Sequence, residues 1–597
     1  MAFLSRWRQD ENRLEVNTLI FVYLVYIVFI WVHDILCFVI NTNGNNITYI
    51  VSILIVSAIS ISSLKKIRLK PPLFHAIDII FILAIFSVCA LRIAIPDTSY
   101  DTMNYHIYMQ ERPFANNVSE NFFPSSWVCS YSLPLADRMF FPFRRIFGYR
   151  LGPSFNALVL VLTFYQCKHL ITRLKPTISE PVLSQIAGIS ILTEQILTQL
   201  CIYYVDLLAI PLFLEILIKI QEKFRANKQC LYLCALGGFA VALKLSNLVL
   251  VSFFAIIFLA KNLKSIKFKT ILCGLVFVIA PTILPYAINT YIQTGNPIFP
   301  FYNTIFGSPY LDSIDGINKN FGPKSLIEVL FWPVIVFFEP LRAYDTSVYW
   351  GRLSLSYICA ILWTCRGFYQ IRRKNGNGDI LFQNSLLYII CCLIWGPFMS
   401  GMIRYALILE VWGGITTLLV IRELYQMKQS LYLCIATILC LMLTVQCSES
   451  LHISLFTPQE PGWRNSALVD EAYWKINFEH VFTEYDYNDF LEGVDCIGVI
   501  RNNASMGALL SDDIPVVSLN GWYTNRHGEI QFHDILSRYQ NIYIVTTQSG
   551  MQYTLDAAAE AGITLTEEIR CFPADFISCT DTLCLIKVEG GSAGWTQ

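Results

Sequence analysis

The chain has 597 residues, of which 55% are hydrophobic and 14% aromatic but only 15% charged, with a formal net charge of -1. Such a composition excludes an ordinary soluble domain and points to a polytopic membrane protein. The near-zero charge gives no basic field for a nucleic-acid partner.

The opening stretch, "MAFLSRWRQDENRLEVNTLIFVYLVYIVFIWVHDILCFVI", carries charges of both signs and then a long apolar run without a small-residue cleavage pattern. It reads as a retained anchor and not as a signal peptide. From residue 17 to residue 446, apolar runs of about 17 to 24 residues recur, the length a helix needs to cross a hydrocarbon core of roughly 30 Å. Connections rich in Lys and Arg alternate along the chain, at 5–13, 62–72, 168–176, 221–229, 261–269, 365–378 and 421–429. Short basic loops stay cytoplasmic, so threading the apolar runs between them gives about thirteen crossings, with the N-terminus inside and the C-terminus outside. Three longer connections then face outward: 96–150, 292–350 and everything from 447 on. The Asn-x-Ser/Thr triplets at Asn46, Asn117 and Asn503 fall on that side too.

The first outer connection begins "PDTSYDTMNYHIYMQERP". Asp101 and Tyr105 are four apart and share a face if this piece is helical, with Asp97 one turn earlier. A carboxylate where the chain leaves the bilayer can take a proton from an attacking hydroxyl. His106 suits phosphate binding as imidazolium, a share in a metal site, or packing. An interfacial loop whose tyrosines join an aromatic belt fits the same residues.

Further on, Asp206 in "YYVDLLAIPLFL" stands at the outer edge of a hairpin between apolar halves, where a carboxylate needs a partner or a job. Lys244 in "ALKLSN" sits where the chain turns back, suited to an anionic phosphate or to snorkelling. "YIQTGNPIFPFYNTIFG" (291–307) reads as a turn, punctuated by Gly295, Pro297 and Pro300. "LFWPVIVFFEPLRAYD" is apolar but broken by proline, as a re-entrant or interface-lying piece would be. In "GPFMSGMIRYALILEVW", Arg404 and Tyr405 start an outer helix, where a guanidinium can take a phosphate bidentately or simply snorkel.

Past residue 446 the texture changes to a small α/β domain. Strand-like runs at 495–501, 514–519, 541–547 and 582–588 alternate with helix-like pieces around 503–511, 529–539 and 550–561. It has no GxGxxG or Walker loop. In an oxidising compartment Cys571, Cys579 and Cys584 offer a disulfide whose pairing the sequence does not give.

Taken in order, "YDTMNYHIYMQ", "YYVDLLAIPLFL", "ALKLSN", "TGNPIFPFYN" and "IRYALILE" resemble the GT-C superfamily of integral membrane glycosyltransferases, in the bacterial branch related to protein O-mannosyltransferases and lipid A aminoarabinose transferases. The resemblance spans roughly residues 75–425. It implies a donor sugar on a polyprenyl or dolichyl phosphate, with Asp101 as general base, Asp206 as a second acidic residue, and Lys244 and Arg404 toward the lipid phosphate. Many members carry an Asp-Glu pair where this chain has Asp101 and Thr102. Asp101 with His106 is a thin ligand set for a hard cation, so a divalent metal stays open.

The resulting expectation is a GT-C-like polytopic α-helical protein of the bacterial cytoplasmic membrane, with residues 1–446 forming the membrane domain and 447–597 a soluble extracytoplasmic α/β domain. Asp101 acts as base; Asp97, Tyr105, His106, Asp206, Lys244, Arg404 and Tyr405 bind substrate. Its partners are a polyprenyl-phosphate sugar, membrane lipids and a glycan, lipid or protein acceptor. The rivals are a lipid-linked glycan flippase, an oligosaccharide polymerase or ligase, and a non-catalytic assembly protein. No inverted repeat or pair of broken helices favours the flippase.

Overall fold

The computed structural model describes residues 14–42, 44, 46–93, 97, 99–111, 133–200, 202–222, 226–299, 301–308, 321–343, 351–373, 379–456, 487–500, 504–511, 514–518, 539–560, 563–573 and 582–589. Asn117, Asn503, Cys579 and nearly all of the expected helix at 529–539 lie outside these residues.

Among them, seven helices are long and apolar enough to cross a membrane: Thr18–Ile40, Asn46–Leu64, Leu245–Ser265, Phe268–Thr294, Ile380–Phe398, Ile403–Gln426 and Ser430–Ile453. The chain is an integral membrane protein. Asn46–Leu64 shows why such a helix needs lipid, since Ile47, Ile50, Leu54 and Ile61 are all more than half exposed. Some of the other described helices are shorter and sit inside the body. Ile210–Gln221 is buried on all sides through Ile220, yet its 12 residues span only about 18 Å. Strand β1 (Leu14–Asn17) pairs in parallel with β2 (Ile67–Lys70), a link between two basic stretches that periodicity did not reveal.

The connection 292–350 contains the helix Leu326–Phe338, capped by the Ser325 side chain on the Glu328 N–H. Its 13 residues reach about 20 Å, less than a bilayer crossing. Leu326 and Phe338 project outward while Trp332 and Val336 pack inward. Within 291–307, the helix ending at Thr294 is closed by Gly295 and a short helix Asn303–Phe306 follows, with two buried asparagines, Asn296 and Asn303, holding the described residues between and beyond them. The Asn296 amide donates to the Phe301 carbonyl at 3.0 Å, and the Asn303 amide to the Ser308 carbonyl at 3.0 Å.

The C-terminal region holds a five-stranded sheet: β3 (Cys496–Val499), β4 (Val516–Ser518), β5 (Ile542–Thr547), β6 (Leu565–Pro573) and β7 (Thr582–Val588), ordered β4-β3-β5-β7-β6. The first three run parallel; β7 is antiparallel to both β5 and β6. Helices Ala504–Leu510 and Met551–Glu560 connect them. Strand β6 was not expected: its "LTEEIRCFP" is charged, as an edge strand tends to be. Cys571 and Cys584 are register partners joined by a disulfide. The last long helix, Ser430–Phe456, runs past the composition change at residue 446.

Candidate active site

Within the connection 96–150, the described residues 102–111 form a π-helical turn, Thr102–His106, continued by the α-helix Ile107–Glu111. Such π-turns are rare and frequently mark functional sites. Asp97 sets the entry to it. Its carboxylate accepts the Ser99 N–H at 2.9 Å, the Thr102 hydroxyl at 2.6 Å and the Tyr203 N–H at 2.7 Å. Asp97 is therefore an anchor between this turn and the Tyr203–Asp206 stretch and not part of the cluster below; three hydrogen bonds within the chain occupy it.

Three breaks in helix bring the other residues to the same place. The Asn156 amide, buried, donates to the carbonyls of Gln199, Ile202 and Tyr204 at 2.9, 3.0 and 3.2 Å, which pins the loop before the 3-10 turn Asp206–Ala209. Lys244 precedes the 3-10 turn Leu245–Asn247, where the Asn247 amide closes on the Ala240 carbonyl at 2.8 Å. Arg404 lies in the 3-10 turn Ile403–Ala406, which follows Gly401. Gly401 has φ +59°, and a Cβ there would lie 2.7 Å from the Cα of Gly322, so the turn depends on glycine.

The result is a cluster of two carboxylates and two cations. Arg404 Nη1 donates to Asp101 Oδ2 at 2.6 Å, and its Nε stands 3.7 Å from Asp206 Oδ2 without a hydrogen-bond partner. Lys244 Nζ donates to Asp206 Oδ1 and lies 4.1 Å from the centre of the Tyr405 ring. Tyr204 presents its ring to the Arg404 guanidinium at 5.2 Å, and Tyr105 is hydrogen-bonded to Asp101. His106 pairs through Nδ1 with Asp137 Oδ1 at 2.5 Å, against the rings of Tyr105 and Tyr204.

Burial alone would raise the Asp101 carboxyl, but Arg404, with help from His106 and Tyr105, outweighs it and holds the group below the usual carboxylate range. For Asp137 burial prevails over His106 and the carboxyl is pushed up. The two carboxyls thus differ in environment within one site.

Asp206, Lys244, Ser246, Asn247, Arg404 and Tyr405 line a small cavity together with the apolar Val205, Ala209, Ile210, Phe213, Leu407 and Ile408; Asp101 is not among its lining residues. Seven of the eight expected residues meet here or adjoin the cluster; Asp97 does not. Asp137, Tyr204 and Asn156 were missed, since each acts across 31 or more residues of sequence and no local pattern marks it.

Among the described residues, no group of three or more His, Cys, Asp and Glu side chains is gathered as a metal ion would require. The carboxylates face cations, which suits an anionic ligand better than a hard divalent metal.

No family model and no curated protein matches the chain. Among solved structures, the crystal structure of ArnT from Cupriavidus metallidurans bound to undecaprenyl phosphate is similar at a TM-score of 0.47 and 12% identity, over 85% of this chain and 97% of that one. The apo structure of the same protein gives 0.45 and 12%, over 87% and 98%.

Proposed function

We propose that the chain is a GT-C-like glycosyltransferase that moves a sugar from a polyprenyl phosphate to a hydroxyl on an envelope glycan, glycolipid or protein at the outer face of a bacterial cytoplasmic membrane. The observation that carries this reading is the meeting of Asp101, Asp206, Lys244 and Arg404 in one cluster, of which Asp206, Lys244 and Arg404 line a cavity together with apolar side chains. A polyprenyl phosphate has the same two-part character: an anion on an apolar chain.

In this scheme the acceptor oxygen bonds to the anomeric carbon while the bond from that carbon to the phosphate oxygen breaks. Asp101 receives the acceptor proton. The phosphate leaves with the bonding electrons, and its charge is met by Arg404 and Lys244. Asp206 keeps Lys244 in place, and Tyr105, His106 and Tyr405 flank the sugar. Positioning and charge stabilisation supply most of the rate, as expected where the leaving group already carries its charge at the interface.

About thirteen crossings with the N-terminus inside, and a membrane domain of 1–446 followed by an outward domain of 447–597, complete the proposal. The disulfide between Cys571 and Cys584 suits an oxidising side.

The test is transfer from synthetic polyprenyl-phosphate sugars in membranes. Wild type is expected to turn over at least one donor, and Lys244→Ala to raise the donor KM by about tenfold, the loss of one phosphate contact. A wild-type protein inert toward every such donor, yet binding or moving pyrophosphate-linked oligosaccharides, would contradict it in favour of a ligase or flippase.

A further inference from the structure

The segment 101–111 is buried from end to end, but by two different bodies. Ile107 belongs to the apolar core of the membrane-spanning body. Met103, Tyr108 and Met109, at 6%, 1% and 3% exposure, belong to the core of the C-terminal α/β region together with Val494, Ile497, Met506 and Val516. The helix Ala504–Leu510 packs against both the π-turn and the helix that continues it. Asp101 and Tyr105, on the same short segment, are turned to Arg404. Met103 is only two residues from Asp101 and stands about half a turn away.

We infer that the C-terminal α/β region is a positioning element for the base: by packing Met506 and its neighbours on Met103, Tyr108 and Met109 it sets where Asp101 stands relative to Arg404. The inference rests on the proposed role of Asp101, and it gives the outer domain a task without requiring that domain to touch substrate. The π-turn has no long helix to hold it. Its first backbone bond, from the Met103 N–H to the Ser99 carbonyl at 3.0 Å, fixes one end, and the two cores fix its faces. The phosphate-binding cations come from other elements, the turns at Lys244 and Arg404. Loss of the α/β packing therefore moves the base without moving the phosphate clamp.

Met103→Ala and Met506→Ala reach this contact from opposite sides, each removing a side chain from the shared core. Hydrogen exchange of the peptide covering 99–111 is read first, without any donor, in full-length protein in lipid. Both variants are expected to lose protection there by at least tenfold while the helix Ile403–Gln426 keeps its own. Kinetics are read second. Both are expected to lower kcat by about 10- to 100-fold, as a displacement of the order of 1 Å does, with donor KM within about twofold of wild type. Met103→Leu is expected to recover most of the rate, and Leu555→Ala, exposed and outside that core, to leave it unchanged. Unchanged protection of 99–111 in both Ala variants would overturn the inference whatever the enzyme transfers. So would a loss that falls on donor KM with kcat preserved. A wild type that transfers nothing would overturn the role of Asp101 alone, since the exchange result does not depend on turnover.

Discussion

Two groups of buried charge lie close in the fold and differ in what they can still do. Around Asp34, one carboxylate oxygen takes the Arg138 Nε–H at 3.0 Å and the other takes the Tyr286 hydroxyl. Arg138 gives its remaining donors to the Gln110 carbonyl and toward His33, with its guanidinium 4.5 Å above the Phe141 ring. Both side chains of the pair are at most 2% exposed. In the Asp101 cluster the cations are partly open, Arg404 at 15% and Lys244 at 21%, and they stand at a cavity. A closed pair tying the helix Thr18–Ile40 to the helix Leu135–Phe147 is a staple; an open pair with an unspent guanidinium N–H is the candidate site. Charge at membrane depth is therefore not sufficient evidence of function; unspent capacity beside a cavity is the better criterion.

The comparison can be broken most forcefully at the staple. Arg138→Met leaves Asp34 buried without its cation and is expected to cost about 3–5 kcal/mol, seen as a large fall in the thermal unfolding midpoint in detergent. Arg404→Met is expected to do the reverse. Transfer falls by about 10²- to 10³-fold through loss of charge stabilisation at the leaving phosphate, while the midpoint stays near that of wild type. A midpoint loss for Arg404→Met as large as that for Arg138→Met would make the cluster a second staple.

A smaller effect is expected in the α/β region. Cys571→Ser opens the loop between β6 and β7 and is expected to cost about 2–4 kcal/mol, read as lost exchange protection across those strands. The transmembrane helices keep theirs.

The smallest effect is the acid dependence of the Asp101–Arg404 pair. The folded pKa of Asp101 is lowered below its unfolded value near 3.9. The stability it contributes is thus fully present above the unfolded value and lost as pH falls through the folded one. Asp101→Asn is expected to lower stability at neutral pH by that contribution and to flatten the acid limb, so that the two stability–pH curves converge as pH falls through the folded value. A curve unchanged below pH 4 would mean that the pair contributes nothing to folding.

Much of this was legible in the sequence, though for uneven reasons. Asp101, Asp206, Lys244 and Arg404 stand out because ionisable residues flanking apolar runs are costly and therefore conspicuous. The strands β3, β4, β5 and β7 stand out because buried parallel or central strands are apolar and β-branched. What the sequence concealed is of two kinds. Asp97 has the right charge and place for a ligand contact, yet its oxygens are filled by the Ser99 N–H, the Thr102 hydroxyl and the Tyr203 N–H, the last from 106 residues away. Asp137, Met103 and Met506 matter through partners far along the chain, and periodicity carries no information about such partners. Strand β6 escaped because an edge strand trades apolar alternation for charge.

The central claim, that Asp101 is the base of a lipid-phosphate-dependent sugar transfer, is tested most directly by one comparison. Transfer from a polyprenyl-phosphate sugar is measured in membranes for wild type and Asp101→Asn, alongside protein level and binding of the sugar-free polyprenyl phosphate. The account expects turnover to fall by about 10²- to 10⁴-fold with lipid binding retained, because the phosphate contacts of Arg404 and Lys244 are still there. Transfer undiminished in Asp101→Asn would contradict it.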